Sequence, residues 1–312
     1  MQEYMRRRLF GLNLIEATFD KRGFESNDKN SQAQLERVGR TFVEGYNAAV
    51  EASFPSDLPQ TLEQVPLAYR GFAYEGAAMG LAMLDEVFRW RKDRARLFLE
   101  GPGAAHAYMV QVGIGLAWAQ LRIKPSSRLP RWDKTLGWLA VDGYGFHAGF
   151  FNWPKTISGQ EKPKHLGPEE SRVFDQGLGR SMWFVKGGNV EAIAKTINDF
   201  PAERRSDLWA GIGLASCYAG GVPKESLEFL ARASGEHFPS LCQGAVFAAA
   251  ARQRAKNPTE HNDLACQTYF QMSSKQAFDL FETKKREGYE QWRKSIQDCF
   301  QNGISDQRSR SA

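Results

Sequence analysis

The sequence predicts an all-α protein built from repeated helical hairpins of about 34 residues, a tetratricopeptide-like α-solenoid, with an irregular α-helical bundle as the alternative. Two observations predict it. Apolar residues recur at helical spacing, whereas alternating stretches and Val/Ile/Thr clusters are scarce. Glycine also recurs inside the apolar segments, at Gly45, Gly76, Gly113, Gly149, Gly177, Gly211 and Gly244, at intervals of 28 to 37 residues. A glycine in a helix interior costs about 1 kcal/mol relative to alanine. Seven such costs at a near-regular interval imply one cause, a neighbouring helix crossing where no Cβ fits.

The helical segments expected are 33–51, 73–99, 172–185, 207–218 and 267–293, separated by Gly- and Pro-rich punctuation such as Gly101–Pro102–Gly103 and Gly220–Gly221–Val222–Pro223. The repeat is clearest in the second half. There 189–200 and 224–233 read as short helices, alternating with glycine-bearing helices over 202–220 and 237–256. Residues 1–303 are expected to form a single helical-repeat domain, and 304–312 a polar, disordered tail.

At 312 residues the chain can bury a core without disulfides. Cys217, Cys242, Cys266 and Cys299 show no CxxC spacing and read as buried thiols of a reducing compartment, so the expected location is cytoplasmic. The basic start carries only a short apolar stretch interrupted by Glu16, unlike a signal peptide. No run reaches the roughly 18 apolar residues of a membrane span. The net charge of +5 is spread among acidic residues and does not form the basic face of a nucleic-acid binder. With five histidines and no helical pair at ligand spacing, no metal is expected, and the sequence leaves any cofactor unidentified.

Nucleophile-elbow, zinc-protease, P-loop and aspartate-rich signatures are missing. Glycine pairs such as Gly113–Gly115 and Gly211–Gly213 lie within apolar helices and read as packing positions rather than phosphate loops. The candidates for chemistry are polar and aromatic residues beside the recurring glycines. Asp142, His147, Asp175 and Arg180 are the candidate catalytic residues, because burial moves a carboxylate and an imidazole toward neutral pKa values. Tyr74, Glu75, Tyr144, Phe146, Gln176, Trp183 and Trp209 are the candidate substrate-binding residues. With 8 Trp and 21 Phe, their aromatic surroundings suit a long apolar or conjugated ligand or, equally, a well-filled core. The competing reading makes the charged residues structural, with Asp175 or Asp207 paired to Arg180 or Arg205.

The strings LFGLNLIEATFDKRGF, FAYEGAAMGLAMLD, LAVDGYGFHAGFF, RVFDQGLGRSMWF, DLWAGIGLASCYAGG and LCQGAVFAAAAR run in order from about Arg8 to Cys299. They resemble the bacterial domain of unknown function 1702 family, which is associated with enediyne biosynthesis gene clusters. The resemblance implies a part in maturing a linear polyene or a related secondary metabolite, and carries over no catalytic residue. Three readings stand open: a pathway enzyme acting on or binding a long apolar intermediate in a helical groove, a non-catalytic helical-repeat adaptor or chaperone for a partner protein such as another pathway protein, and a terpene or polyene cyclase-like enzyme.

Overall fold

The computed structural model describes residues 2–88, 93–284 and 287–301, and among them every regular element is helical. The longer helices are α1 (Gln2–Phe10), α2 (Lys29–Glu51), α3 (Leu67–Val87), α4 (Arg94–Glu100), α5 (Ala107–Gln120), α6 (Leu139–Phe151) and α7 (Pro168–Val185). They continue as α8 (Val190–Asn198), α9 (Ala202–Tyr218), α10 (Lys224–Ala233), α11 (Phe238–Arg254), α12 (Glu260–Phe270), α13 (Ser274–Lys284) and α14 (Tyr289–Gln297).

Helices α2, α3, α5, α6, α7, α9 and α11 pack each against the next in chain order. The glycines set these crossings. A Cβ at Gly115 of α5 would lie 1.7 Å from the Ala140 carbonyl oxygen of α6, and one at Gly143 of α6 would lie 2.0 Å from that of Val112 in α5. Gly177 meets Asp142 in the same way, Gly211 meets Gln176, and Gly244 meets Ala210. The Gly-x-Gly pairs have a further use. Residues two apart stand about 200° around a helix, so Gly113 faces α3 while Gly115 faces α6, and Gly211 faces α7 while Gly213 faces α11. Each central helix is thereby in backbone contact with both neighbours.

The row curls back so that α2 and α3 meet the end of α9. The Ser31 hydroxyl of α2 donates to the Gly221 carbonyl at 2.6 Å, Gln34 donates to Ala219, and the rings of Phe72 and Tyr218 meet edge to face at 5.2 Å. Gly220 and Gly221, with φ of +63° and +99°, turn the chain at the end of α9 so that these carbonyls point toward α2.

Two expected helices are broken. The one expected over 73–99 is divided into α3 and α4, because the Asp85 carboxylate accepts from the backbone N–H groups of Arg94 and Ala95 and starts a new helix there. The one expected over 267–293 falls across α12, α13 and α14, and Gln271 in the left-handed conformation (φ 57°) ends α12. The connections between the glycine-bearing helices are unlike one another, as an irregular helical bundle allows. They are 3-10 turns between α5 and α6, a π-turn over Pro154–Ser158 between α6 and α7, and true helices in α8 and α10. Cys217, Cys242 and Cys266 are buried, but Cys299 is exposed, which corrects the expectation of four buried thiols. The tail over 304–312 lies outside the described residues. No helix of the described residues is long and apolar enough to cross a membrane.

Candidate functional site

The curled row encloses a cavity of about 480 Å³, in the range that holds a drug-sized ligand. Its walls are apolar: Phe72, Met79 and Met83 of α3, Phe146 and Phe150 of α6, Phe184 of α7, and Leu214 of α9. Leu9 to Leu12 cover it from the N-terminal side. This cover is fastened by one amide: the Leu12 N–H donates to Asn47 Oδ1 and Asn47 Nδ2 donates to the Leu12 carbonyl, each at 2.9 Å. Leu9, Leu14, Ile15 and Phe151 are exposed, so the rim is apolar as well.

Two ionisable side chains on the wall, Glu75 of α3 and Arg180 of α7, are almost completely buried. Glu75 Oε1 lies 3.9 Å from Arg180 Nη2, and the guanidinium sits 4.7 Å over the Phe146 ring. Behind them Arg180 Nε lies 2.9 Å from Asp142 Oδ1, in a line that makes an ion pair but no directed hydrogen bond. Arg180 Nε and Nη2 are thus buried without hydrogen-bond partners among the described residues. Asp142 Oδ2 accepts from Gln176 Nε2 at 2.7 Å, and the same amide nitrogen contacts the Tyr289 hydroxyl at 2.9 Å.

Two carboxylates here compete for one guanidinium. Burial pushes the Glu75 carboxyl up to about 7, Arg180 opposes this, and the nearby Asp142 charge adds to it. Burial also raises Asp142, but Arg180 and the Gln176 amide both favour its charged form. Asp142 is the closer partner of Arg180, so the guanidinium favours its charged form more strongly, and Glu75 takes up a proton as the pH falls through about 7. The floor of the cavity is then electrically neutral and presents hydrogen-bond donors.

Of the eleven residues singled out in the sequence, Glu75, Phe146 and Arg180 line this cavity and the other eight do not. Asp142 stands behind Arg180. His147 Nε2 contacts Gln120 Oε1 at 2.8 Å, and its ring lies 4.5 Å from that of Phe151, so two cavity-lining residues separate it from the space. Burial and then the Arg22 charge push its pKa down to about 4, leaving a neutral imidazole. Asp175 is gripped by Arg204 with Lys162 nearby, Asp207 is held by Arg172 and Arg293, and Arg180 belongs to Asp142. The expected pairing of Asp175 or Asp207 with Arg180 or Arg205 is therefore replaced. Positions 175 and 180 stand about 140° apart around α7, which sends one toward α9 and the other toward α6.

The aromatic candidates are structural in their contacts. Tyr74 stacks on His106 at 4.1 Å and donates to Glu63, Trp183 Nε1 donates to the Gly220 carbonyl at 3.0 Å, and Tyr144 meets His165 edge to face. Gln176 bridges Asp142 and Tyr289, and Trp209 is buried in the core. Sequence reasoning missed the N-terminal cover, Tyr46, Gln120, and Arg22, whose guanidinium lies 4.4 Å over the Phe151 ring at the cavity wall. The one trace of them is an apolar run, LFGLNLIEATF, at an otherwise charged end of the chain. Among the described residues no group of His, Cys, Asp or Glu is arranged to hold a metal ion.

No curated protein and no solved structure matches the chain. The model of the family described as protein of unknown function (DUF1702) matches residues 1–300, and the chain belongs to that family.

Proposed function

We propose that this protein serves secondary metabolism by acting on or binding a long apolar intermediate of the enediyne-type polyene class inside the cavity between α2, α3, α6, α7 and α9. One observation carries the reading: a cavity of about 480 Å³ with aromatic walls has a buried carboxyl and a buried guanidinium set into its floor. Burying such groups is costly unless they are fully paired, and Arg180 is not fully hydrogen-bonded among the described residues. Placement divides the roles of the residues drawn from the sequence. Glu75 and Arg180 touch the ligand, Asp142 and through it Gln176 position Arg180, His147 orients Gln120, and Asp175 holds α7 to α9 through Arg204. In this proposal the central row is a tetratricopeptide-like repeat curled so that its inner face makes the cavity.

The cyclase-like reading uses the same site. A protonated Glu75 near Phe72 and Phe146 is the acid such chemistry needs beside walls that stabilise a cation. Asp142 and Asp175, each tied to an arginine, are less suited to that role.

The test is direct binding of a conjugated polyene by the purified protein, followed through its absorption and through quenching of tryptophan fluorescence. Micromolar binding that is lost when Leu214 is replaced by Arg in a folded protein supports the reading. If no polyene binds and the protein instead co-purifies with a pathway protein in a stable complex, the adaptor role takes its place.

A further inference from the structure

We infer that the cavity recognises a neutral carbonyl group at the inner end of its apolar ligand, with the Arg180 guanidinium and the Glu75 carboxyl donating hydrogen bonds to one carbonyl oxygen. This rests on the proposed binding of an apolar intermediate and adds the chemistry of its head. The argument is one of charge and hydrogen-bond balance. Arg180 is already neutralised by Asp142 at 2.9 Å, yet its Nη2 has no hydrogen-bond partner among the described residues. Glu75, 3.9 Å from that nitrogen, shares the same wall. The guanidinium therefore has unused hydrogen-bonding capacity but no surplus positive charge. A ligand carboxylate would bring an uncompensated anion beside Asp142, against a largely apolar wall. A hydrocarbon end would leave the guanidinium donor unpaired, at the cost of a buried polar group. A ketone, aldehyde or ester oxygen supplies two lone pairs and no charge, and so satisfies both donors. The outer wall is apolar enough to take the chain that follows, through Phe146 and Phe184 to Leu9 at the rim.

Donation by Glu75 depends on its proton. The titratable and charged groups around it are Arg180 on α7, Asp142 on α6, Tyr218 on α9, Tyr46 on α2 and, elsewhere on the cavity wall, Glu16 and Arg22. Tyr46 and Tyr218 are raised by burial and stay neutral. Burial raises Glu75 to about 7, so its charge changes across neutral pH.

The experiment titrates the full-length protein with all-trans-retinal, retinol and retinoic acid, probes that share one polyene chain and differ in the head. Retinal is expected to bind at least about tenfold tighter than retinoate, since only retinoate carries a charge into the site, and to absorb at longer wavelength when bound than in alkane solvent. No lysine among the described residues lines the cavity, so an imine is not the expected source of that shift. Raising the pH from 6 to 8 should weaken retinal binding and reverse part of the shift. In Glu75→Gln both should become independent of pH, and in Arg180→Met retinal should bind no better than retinol. The comparison of three ligands on the unaltered protein stands even where a variant fails to fold. Tightest binding of retinoate, or equal binding of all three, overturns the carbonyl inference and leaves the cavity reading intact. Failure of all three to bind overturns both.

Discussion

The guanidinium of Arg204 holds the carboxylate of Asp175 through both oxygens, Nε to Oδ2 at 3.0 Å and Nη2 to Oδ1 at 2.5 Å, with both side chains almost wholly buried. Arg204 also donates to the Gln160 carbonyl at 2.7 Å, so the pair ties α9 to α7 and to the loop before it. Asp175→Ala leaves the cation buried alone and should cost about 3–5 kcal/mol of stability, with part of it regained in Asp175→Leu combined with Arg204→Met. Urea denaturation measures both. Retinal binding per folded molecule should be unchanged in either protein, and a selective loss of binding would return Asp175 to the site.

At the glycine crossings even a methyl group is too large. Gly115→Ala places a Cβ against the Ala140 carbonyl, and Gly177→Ala places one against that of Asp142, at 1.7 and 1.9 Å in the unrelaxed backbone. Each should destabilise by about 1–3 kcal/mol or more. Gly167 is the control: a Cβ there has its nearest neighbour at 3.6 Å, and Gly167→Ala should stay within about 0.5 kcal/mol. Thermal unfolding of the three proteins side by side checks the ranking.

Acid should unfold the protein partly through two histidines. His106, stacked on Tyr74, and His147, bonded to Gln120, are both pushed down to about 4 by burial. A depressed histidine pKa favours the native state above about 6.5 and loses that contribution as pH falls toward 4. Each is worth up to about 3 kcal/mol by linkage. The melting temperature of a His106→Gln, His147→Gln double variant should therefore fall less between pH 7 and pH 4.5 than that of the unaltered protein. Equal slopes would contradict the neutral, buried assignment.

Arg293 anchors the C-terminal helix. It is fully buried, donates to Asp207 at 2.6 Å and to Gln243 at 3.2 Å, and pairs with Glu290 one turn away. The attraction of Asp207 and Glu290 holds it charged against the cost of burial. Arg293→Met should cost about 3–5 kcal/mol, because Asp207 is left with only the half-exposed Arg172. Limited proteolysis should then release α14 before the rest of the chain is cut.

The helices and their crossings are legible in the sequence because glycine inside an apolar helix has little use except close approach. A period near 34 residues is less legible as architecture, since a 3-10 turn, a π-turn or a true helix can fill the same gap between glycines. The site is legible where it shares the grammar of the crossings: Glu75 precedes Gly76, and Arg180 follows Gly179. Partner choice is not. Arg180 finds Asp142 and Asp175 finds Arg204 because helical phase sends neighbouring charges to different helices, and that phase has meaning only once the order of packing is known. The cover from Leu9 to Leu12 escapes notice altogether, since nothing local to those residues says which surface they close.

Backbone meeting backbone at the glycine seams leaves no soft layer of side chains between the central helices. Such a wall cannot widen by rotamer changes, so traffic between cavity and solvent has to pass elsewhere. The opposite side is closed by a few residues latched to Asn47 through two hydrogen bonds. Frame and door are thus built from different materials: backbone seams on one side, and two hydrogen bonds between Leu12 and Asn47 on the other.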